Sequence, residues 1–162
     1  AFLREAQLYG LKDIPNCNMA VTLDVGDATC IHPAKKFEVG QRLAALALAK
    51  TYGQLGFDPN APQMAAYSIK DGKAVITMSH CSGGLTPKHE EIIGFEIAGA
   101  DKIFHKAQAS ITAGNEVTVW SAEVKEPVAV RYSFRNFAPG NLTNLFGVPV
   151  VPFRTDNWND VQ

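Results

Sequence analysis

The sequence lacks long apolar runs and has no strong excess of charge of either sign. No stretch approaches the roughly 20 apolar residues that a membrane-spanning helix needs. The 15 lysines and arginines nearly balance the 16 aspartates and glutamates, and no basic cluster occurs. Proteins that bind nucleic acid or anionic membranes present such a basic surface. The sequence therefore predicts no membrane span and no nucleic-acid partner.

Cysteine is also scarce, and its spacing excludes the common metal motifs. The three cysteines permit one internal disulfide at most and contain no CxxC pair, so the redox compartment stays open. Together with the four histidines they match no zinc pattern. We therefore expect no metal and no cofactor. The residues concerned are Cys17, Cys30, Cys81, His32, His80, His89 and His105.

The first third of the chain has the pattern of an α/β domain. The run Met19–Asp24 is short, apolar and partly β-branched, which predicts a strand, and Gly26-Asp27 ends it in a loop. A helix is predicted from Pro33 to Gly53, because proline suits a first helical turn and glycine the position after the last. Its apolar residues lie near one face, so we expect it to pack on a sheet.

After a linker-like stretch at Gly53–Pro62, the pattern changes to short β-type runs separated by turns. Asp71-Gly72 and Gly114-Asn115 are the turn signals. The runs are Ala74–Met78, Gly94–Ala98, Val117–Trp120 and Val128–Phe134. Such spacing predicts a small antiparallel β-sandwich, resembling a jelly roll. The expected fold class is α/β, with the end of an α/β domain at residues 1–57 and a β-sandwich at 58–162. The chain begins as if cut from a longer protein.

His32 is the first candidate functional residue. It lies in the loop between the predicted strand and the predicted helix. Loops that leave the carboxyl ends of strands in α/β sheets often carry catalytic groups. An imidazole with an ordinary pKa of about 6.5 can act as a general base at neutral pH. The residues alone also fit a histidine that is buried or caps the helix.

A series of ordered blocks along nearly the whole chain resembles the carboxyl-terminal part of the sialate O-acetylesterases. The blocks are Leu3–Gln7, Met19–Asp27, Ile31-His32-Pro33, Val39–Ala44, Tyr52-Gly53, Gly83–Leu85, Gly94–Asp101, Phe104, Pro127–Tyr132, Asn141-Leu142 and Pro152–Trp158. The resemblance implies an SGNH-type hydrolase that removes acetyl groups from sugar hydroxyls, typically those of sialic acid. It also implies a secreted, lysosomal or periplasmic location.

The resemblance assigns a role to His32, whereas the carboxylate that would orient it has to be chosen from the nearby residues. His32 matches the histidine of the family's Ile-His-Pro motif, which serves as the base for a serine nucleophile. Many relatives carry an aspartate two or three residues before that histidine, where this chain has Cys30 and Thr29. Asp27 is our candidate for the carboxylate that orients His32, because the loop that leaves Gly26 can fold this side chain back onto the imidazole. A turn-forming role for Asp27 is an equal alternative, and Asp24 is the next candidate.

The serine and the oxyanion donors of the family lie upstream of the region that this chain resembles. No Gly-x-Ser-x-Gly elbow occurs here. Ser82 has the pattern of a turn serine, and a thiolate–imidazole pair of Cys30 with His32 is a minor alternative. We therefore expect the nucleophile on a missing upstream segment or a companion polypeptide, with an O-acetylated sialic acid or a similar acetylated sugar as substrate.

A different class of function is a noncatalytic carbohydrate-binding or scaffolding fragment built on the β-sandwich. Arg154 would then bind a sialic carboxylate through two hydrogen bonds, although a structural ion pair with Asp156 or another buried acid also fits. Aromatic side chains would stack on sugar rings, but alternating aromatics in strands more often form a core. The aromatics concerned are Trp120, Tyr132, Phe134, Phe137 and Trp158.

Overall fold

The structure is a computed structural model that describes residues 1–54 and 56–159. Leu55 of the predicted linker and residues 160–162 of the predicted sandwich lie outside the described residues. The two helices are α1 (Phe2–Asp13) and α2 (Phe37–Lys50). The strands are β1 (Gln63–Lys70), β2 (Lys73–Ser79), β3 (Leu85–Thr86), β4 (Phe95–Ala98), β5 (Phe104–Lys106), β6 (Gln108–Ala113), β7 (Glu116–Trp120), β8 (Ala129–Tyr132), β9 (Thr143–Asn144) and β10 (Phe153–Arg154).

The strands form antiparallel sheets around one core, and this confirms the β-rich part of the predicted fold. One four-stranded sheet has the order β1-β2-β7-β6, a second has the order β10-β8-β4-β5, and β3 pairs with β9. All four predicted β-type runs are strands, namely β2, β4, β7 and β8. Inward side chains alternate with outward ones along β2 and β7, as expected when one face of a sheet is buried. The core therefore lies between the two larger sheets.

The turn at Asp71-Gly72 joins β1 to β2 as predicted. Both residues have positive φ angles, 51° and 70°, and they link the paired residues Lys70 and Lys73. A two-residue hairpin with positive φ at both positions matches the twist of its strands. A Cβ on Gly72 would lie 2.9 Å from the carbonyl oxygen of Lys125, so a glycine is also needed there for space.

The predicted strand at Met19–Asp24 is wrong. The structure has no β-pairing at these residues, and 23–25 form a turn. The carbonyl of Val21 accepts a hydrogen bond of 2.7 Å from the side chain of Arg42, while the N–H of Val25 bonds to Thr22 at 3.3 Å. A strand needs a neighbouring backbone ladder, and here these groups have other partners.

The predicted helix forms, but it is shorter, and within the described part of the chain it has no extensive contact with a sheet. It begins at Phe37 instead of Pro33, with Lys36 as an N-cap residue that makes no side-chain cap hydrogen bond. Gly53 takes the expected left-handed conformation after the helix, with φ 67°. Leu46 is the one buried residue of α2, whereas Phe37 and Tyr52 are 74% and 75% exposed. The apolar side of α2 is therefore largely open in the described chain.

Helix α1, which the sequence did not predict, is fastened to the sandwich by charged side chains. Glu5 accepts two hydrogen bonds of 2.8 Å from Arg154 on β10. Arg4 donates to the carbonyl groups of Ser133, Arg135 and Asn136. A small apolar cluster of Val21, Ala61 and Val151 packs beside this contact, with Leu8, Met19 and Leu23 against it. The N-terminal segment is thus attached to the β domain at several points.

Tyr132 on β8 is fully buried and anchors the loop that follows Gly140. Its hydroxyl accepts a hydrogen bond of 2.9 Å from the backbone N–H of Leu142, and burial raises the pKa of Tyr132 to about 12. Gly140 packs directly on this hydroxyl, since a Cβ there would come within 2.5 Å of it. The phenol is therefore protonated at neutral pH and tightly enclosed.

We expect Tyr132→Phe to lower the free energy of unfolding by about 1–3 kcal/mol, because the buried N–H of Leu142 loses its partner. Urea unfolding of the 162-residue chain measures this change. Tyr67→Phe on β1 is the matched control, since Tyr67 is partly exposed and should change stability by less than about 0.5 kcal/mol. Equal effects of the two changes would contradict the assigned role of the hydroxyl.

Candidate active site

The loop from Val25 to Lys36 carries both predicted catalytic residues. Asp27 forms a local turn in which its Oδ1 accepts hydrogen bonds from Thr29 N at 2.8 Å, Thr29 Oγ1 at 2.9 Å and Cys30 N at 3.0 Å. The backbone and side-chain hydrogen bonds from Thr29, followed by the bond from Cys30, lower the pKa of the Asp27 carboxyl. Asp27 is therefore a carboxylate at neutral pH, as an orienting group must be.

His32 lies in the same loop and is exposed to solvent. Its backbone N–H is 3.4 Å from the sulfur of Cys30, a contact that does not involve the imidazole. Within the described residues, no hydrogen bond joins Asp27 to the ring of His32. The structure thus places both residues on one short loop without a hydrogen bond between their side chains, and the role of each stays a prediction.

A cavity of about 290 Å³ lies beneath the Asp27 end of this loop. Gly26 and Asp27 form one wall with residues 19–23, and Arg4 and Phe137 contribute from α1 and from the loop after β8. Phe137, one of the predicted sugar-stacking aromatics, is 55% exposed. His32 does not line this cavity. The cavity therefore brings Asp27, but not His32, together with an exposed aromatic ring.

Asp24, the next candidate carboxylate after Asp27, forms an ion pair. Both of its oxygens accept hydrogen bonds of 2.7 Å from the guanidinium of Arg42 on α2. The same guanidinium donates to the carbonyl of Val21. Arg42 thereby links α2 to the residues that precede the loop that contains Asp27 and His32. Asp24 is thus a structural anchor of that loop.

A second histidine–aspartate pair, which the sequence analysis missed, joins the linker to the sandwich. Nδ1 of His80 is 2.7 Å from Oδ2 of Asp58, and Oδ1 of Asp58 accepts a bond of 2.9 Å from Asn60 N. Partial burial opposes ionisation of Asp58, but the hydrogen bonds from Asn60 and His80 outweigh it and lower its pKa. The pair is 22 residues apart in sequence, so only the Asp-x-Asn turn pattern was available as a signal.

Most of the predicted sugar-stacking aromatics prove to be packing residues. Tyr132 and Phe134 are buried in the core, and the ring of Trp158 lies 5.7 Å from that of Phe104. Trp120 is half-buried, with the ammonium of Lys73 5.2 Å from its ring centre. Exposure in this set is therefore greatest at Phe137.

Arg154 forms a structural ion pair, as one of its two predicted roles required. Its main partner is Glu5, while Asp156 lies 3.9 Å from its Nη1 atom. The side chain of Asp156 instead bonds to Arg131 at 2.8 and 2.9 Å. The guanidinium of Arg154 is thus engaged within the protein, by Glu5 and by the carbonyl of Trp158.

Cysteine and metal chemistry find little support in the described residues. All three cysteines are free, and Cys81 is the least exposed. Burial, followed by the nearby charge of Asp58, raises the pKa of the Cys81 thiol to about 11, which disfavours a nucleophilic thiolate. No group of three potential ligands that could hold a metal occurs in 1–54 and 56–159. Over the same ranges, neither helix has the length and apolarity to cross a membrane.

The protein is thus an antiparallel β-sandwich with an attached helical segment, and an exposed loop of that segment carries His32. No family model and no curated protein matches the chain. Among solved structures, a carbohydrate acetylesterase from Xanthomonas citri is similar, with a TM-score of 0.88 and 42% sequence identity. The alignment covers 96% of this chain but 36% of that chain. The predicted resemblance to carbohydrate esterases is thus confirmed in part, and this chain spans just over a third of the length of the similar enzyme.

The ion pair of Arg42 should hold the candidate loop in place. We expect Arg42→Gln to speed hydrogen exchange at the backbone amides of residues 21–36, because the loop loses its ion pair. The free energy of local opening should fall by only about 1 kcal/mol, since Asp24 is partly exposed and solvent screens the pair. Lys50→Gln near the end of the same helix is the matched control. Unchanged exchange in the Arg42 variant would show that the loop is held by other contacts.

The pair of Asp58 and His80 should make stability depend on acid. Since the folded pKa of Asp58 is lowered, its stabilising effect is present above the unfolded pKa of about 3.9 and is lost as the pH falls through the folded value. We expect Asp58→Asn to flatten the decline in unfolding free energy below about pH 4. Asp13→Asn, at an exposed end of α1, is the control. A decline as steep as in the unaltered chain would contradict the assignment.

Proposed function

We propose that this chain is the carboxyl-terminal part of a carbohydrate O-acetylesterase of the SGNH type. The observation that carries the proposal is the 42% identity to a carbohydrate acetylesterase over 96% of the chain. The substrate is an O-acetylated sialic acid or a similar acetylated sugar, by resemblance to the sialate O-acetylesterases. By the same resemblance, we propose a secreted, lysosomal or periplasmic location. Residues 1–57 then belong to the hydrolase domain, and residues 58–162 form its β-sandwich neighbour.

His32 is the general base in this proposal. It accepts the proton of a serine hydroxyl as the serine oxygen attacks the acetyl carbonyl, and it returns that proton to the sugar oxygen as the acyl bond breaks. It then activates a water molecule in the same way to release acetate from the serine. Exposure of His32 in its loop supports this role, because the imidazole is accessible to a serine from outside this chain.

Asp27 is the proposed orienting carboxylate. Its Oδ1 takes the three hydrogen bonds from Thr29 and Cys30, so Oδ2 is the oxygen that would accept from the imidazole N–H. Such a bond fixes the tautomer of the histidine and stabilises the imidazolium that forms during attack. The turn at Asp27 supplies a carboxylate that is already ionised before His32 is charged.

The serine and the oxyanion donors are proposed to lie on an upstream segment or a companion polypeptide. The open apolar side of α2 supports this arrangement, since large exposed apolar surfaces mark contacts with other protein. Ile31, next to His32, is 90% exposed, and Phe37 begins the open side of the helix. Both would be covered when the remainder of a hydrolase domain is present.

The test uses this chain joined to the segment that carries the serine. In that protein we expect His32→Ala to reduce kcat/KM for an aryl acetate by about 10²–10⁴-fold, because proton transfer is lost. Sugar binding should be retained. His89→Ala, at another exposed histidine, is the control and should keep full activity.

Three results would overturn the proposal. Robust turnover of an aryl acetate by the 162-residue chain alone would place a complete site within it. Unchanged esterase activity in the His32 variant would remove His32 from the mechanism. Sugar binding without any esterase activity in the joined protein would favour the noncatalytic alternative.

A further inference from the structure

A second cleft lies between α2, the linker and the turn that follows β9. Its volume is about 580 Å³, and its lining includes Glu38, Gln41 and Arg42 of α2, Phe57 and Asp58 of the linker, and Phe146 of the turn. We propose that this cleft binds a neutral sugar residue, which stacks on Phe146 and donates hydroxyl hydrogen bonds to Asp58 and Glu38. Sugar binding here does not depend on the proposed esterase chemistry.

Phe146 is presented to the cleft by a rigid turn. Its side chain is 66% exposed, although burial of an aromatic ring is strongly favoured. The buried side chain of Asn144 accepts hydrogen bonds of 3.0 Å from the N–H groups of both Phe146 and Val148. The N–H of Gly147, at φ 74°, donates to the carbonyl of Asn144 at 3.0 Å. An exposed ring on a preorganised turn is suited to ligand contact, because little entropy is lost when a partner binds.

The opposite wall supplies hydrogen-bond acceptors beside a second aromatic ring. Phe57 is 39% exposed, and Asp58 next to it is held as a carboxylate by Asn60 and His80. Glu38 and Gln41 contribute side-chain oxygens from α2. A sugar ring has an apolar C–H face and a rim of hydroxyl donors, so aromatic rings combined with fixed acceptors match both of its surfaces.

The charge of the lining selects a neutral sugar over an acidic one. The lining carboxylates are Asp24, Glu38 and Asp58, and Arg42 is the lining cation, so the formal charge is −2. Asp24 engages both terminal nitrogens of that guanidinium, which leaves Arg42 poorly placed to bind a ligand carboxylate. Like charges brought together across an interface disfavour binding. In the proposed esterase, this cleft would thus hold a neutral residue of the glycan; that use rests on the proposed function.

The test is a titration of the 162-residue chain, followed by amide NMR shifts. The ligands are the methyl glycosides of galactose, glucose and mannose, with the methyl glycoside of sialic acid for comparison. We expect saturable shifts at residues 38–42, 57–58 and 144–148 with at least one neutral sugar. Phe146→Ala should weaken that binding by about tenfold or more. Tyr67→Ala, at an exposed ring on β1 that lines neither cavity, should leave it unchanged, and melting curves of both variants confirm that the fold is intact.

The charge argument has its own variant. Glu38→Gln removes one lining carboxylate, and we expect it to narrow the difference in affinity between the neutral and the acidic glycoside. The absence of saturable shifts with every neutral sugar would overturn the proposal. So would binding that survives Phe146→Ala, or a sialic acid glycoside that binds at these residues as tightly as the neutral ones. The assay requires no catalysis, so an inactive His32 would not affect its outcome.

Discussion

Arg154 on β10 holds the N-terminal helix to the β-sandwich, next to a second buried arginine pair on the adjacent strand. Arg131 on β8 pairs with Asp156, and both side chains are almost fully buried. Arg154 on β10 pairs with Glu5 of α1. The ring centre of Phe134 is 5.6 Å from the guanidinium carbon of Arg131 and 5.1 Å from that of Arg154. Breaking a buried pair by removal of one partner typically costs about 3–5 kcal/mol, so the pair of Glu5 and Arg154 is a strong attachment of α1.

The contact between Glu5 and Arg154 is an example of a feature that local sequence patterns cannot predict. The strands β2 and β7 alternate apolar and polar residues, and Asp71-Gly72 suits one type of hairpin turn, so local patterns were sufficient for them. Glu5 and Arg154 are separated by 149 residues, and no local pattern links them. Strand β1 was also missed. It is an edge strand, most of its residues are exposed, and buried and exposed residues do not alternate along it.

The candidate active site shows the same difference between local features, which could be predicted, and long-range contacts, which could not. The Ile-His-Pro block identified His32, and the turn chemistry of Asp27 was one of its two predicted roles. The ion pair of Asp24 with Arg42 spans 18 residues, and the bond between Asp58 and His80 spans 22; both required the folded chain. The strand prediction at Met19–Asp24 failed because a strand depends on its neighbours as much as on its own residues.

Helix α2 supports both candidate sites, and this relates them geometrically. Its first turn follows the loop of His32 and carries Glu38, which lines the cleft. One turn further, Arg42 anchors that loop through Asp24 and lines the cleft as well. Residues on one helix keep fixed spacings, and sites built on rigid elements are more precise than sites on loops alone. A sugar held at Phe146 would therefore stand at a defined position relative to Asp24, which Arg42 holds just before the loop of His32 begins.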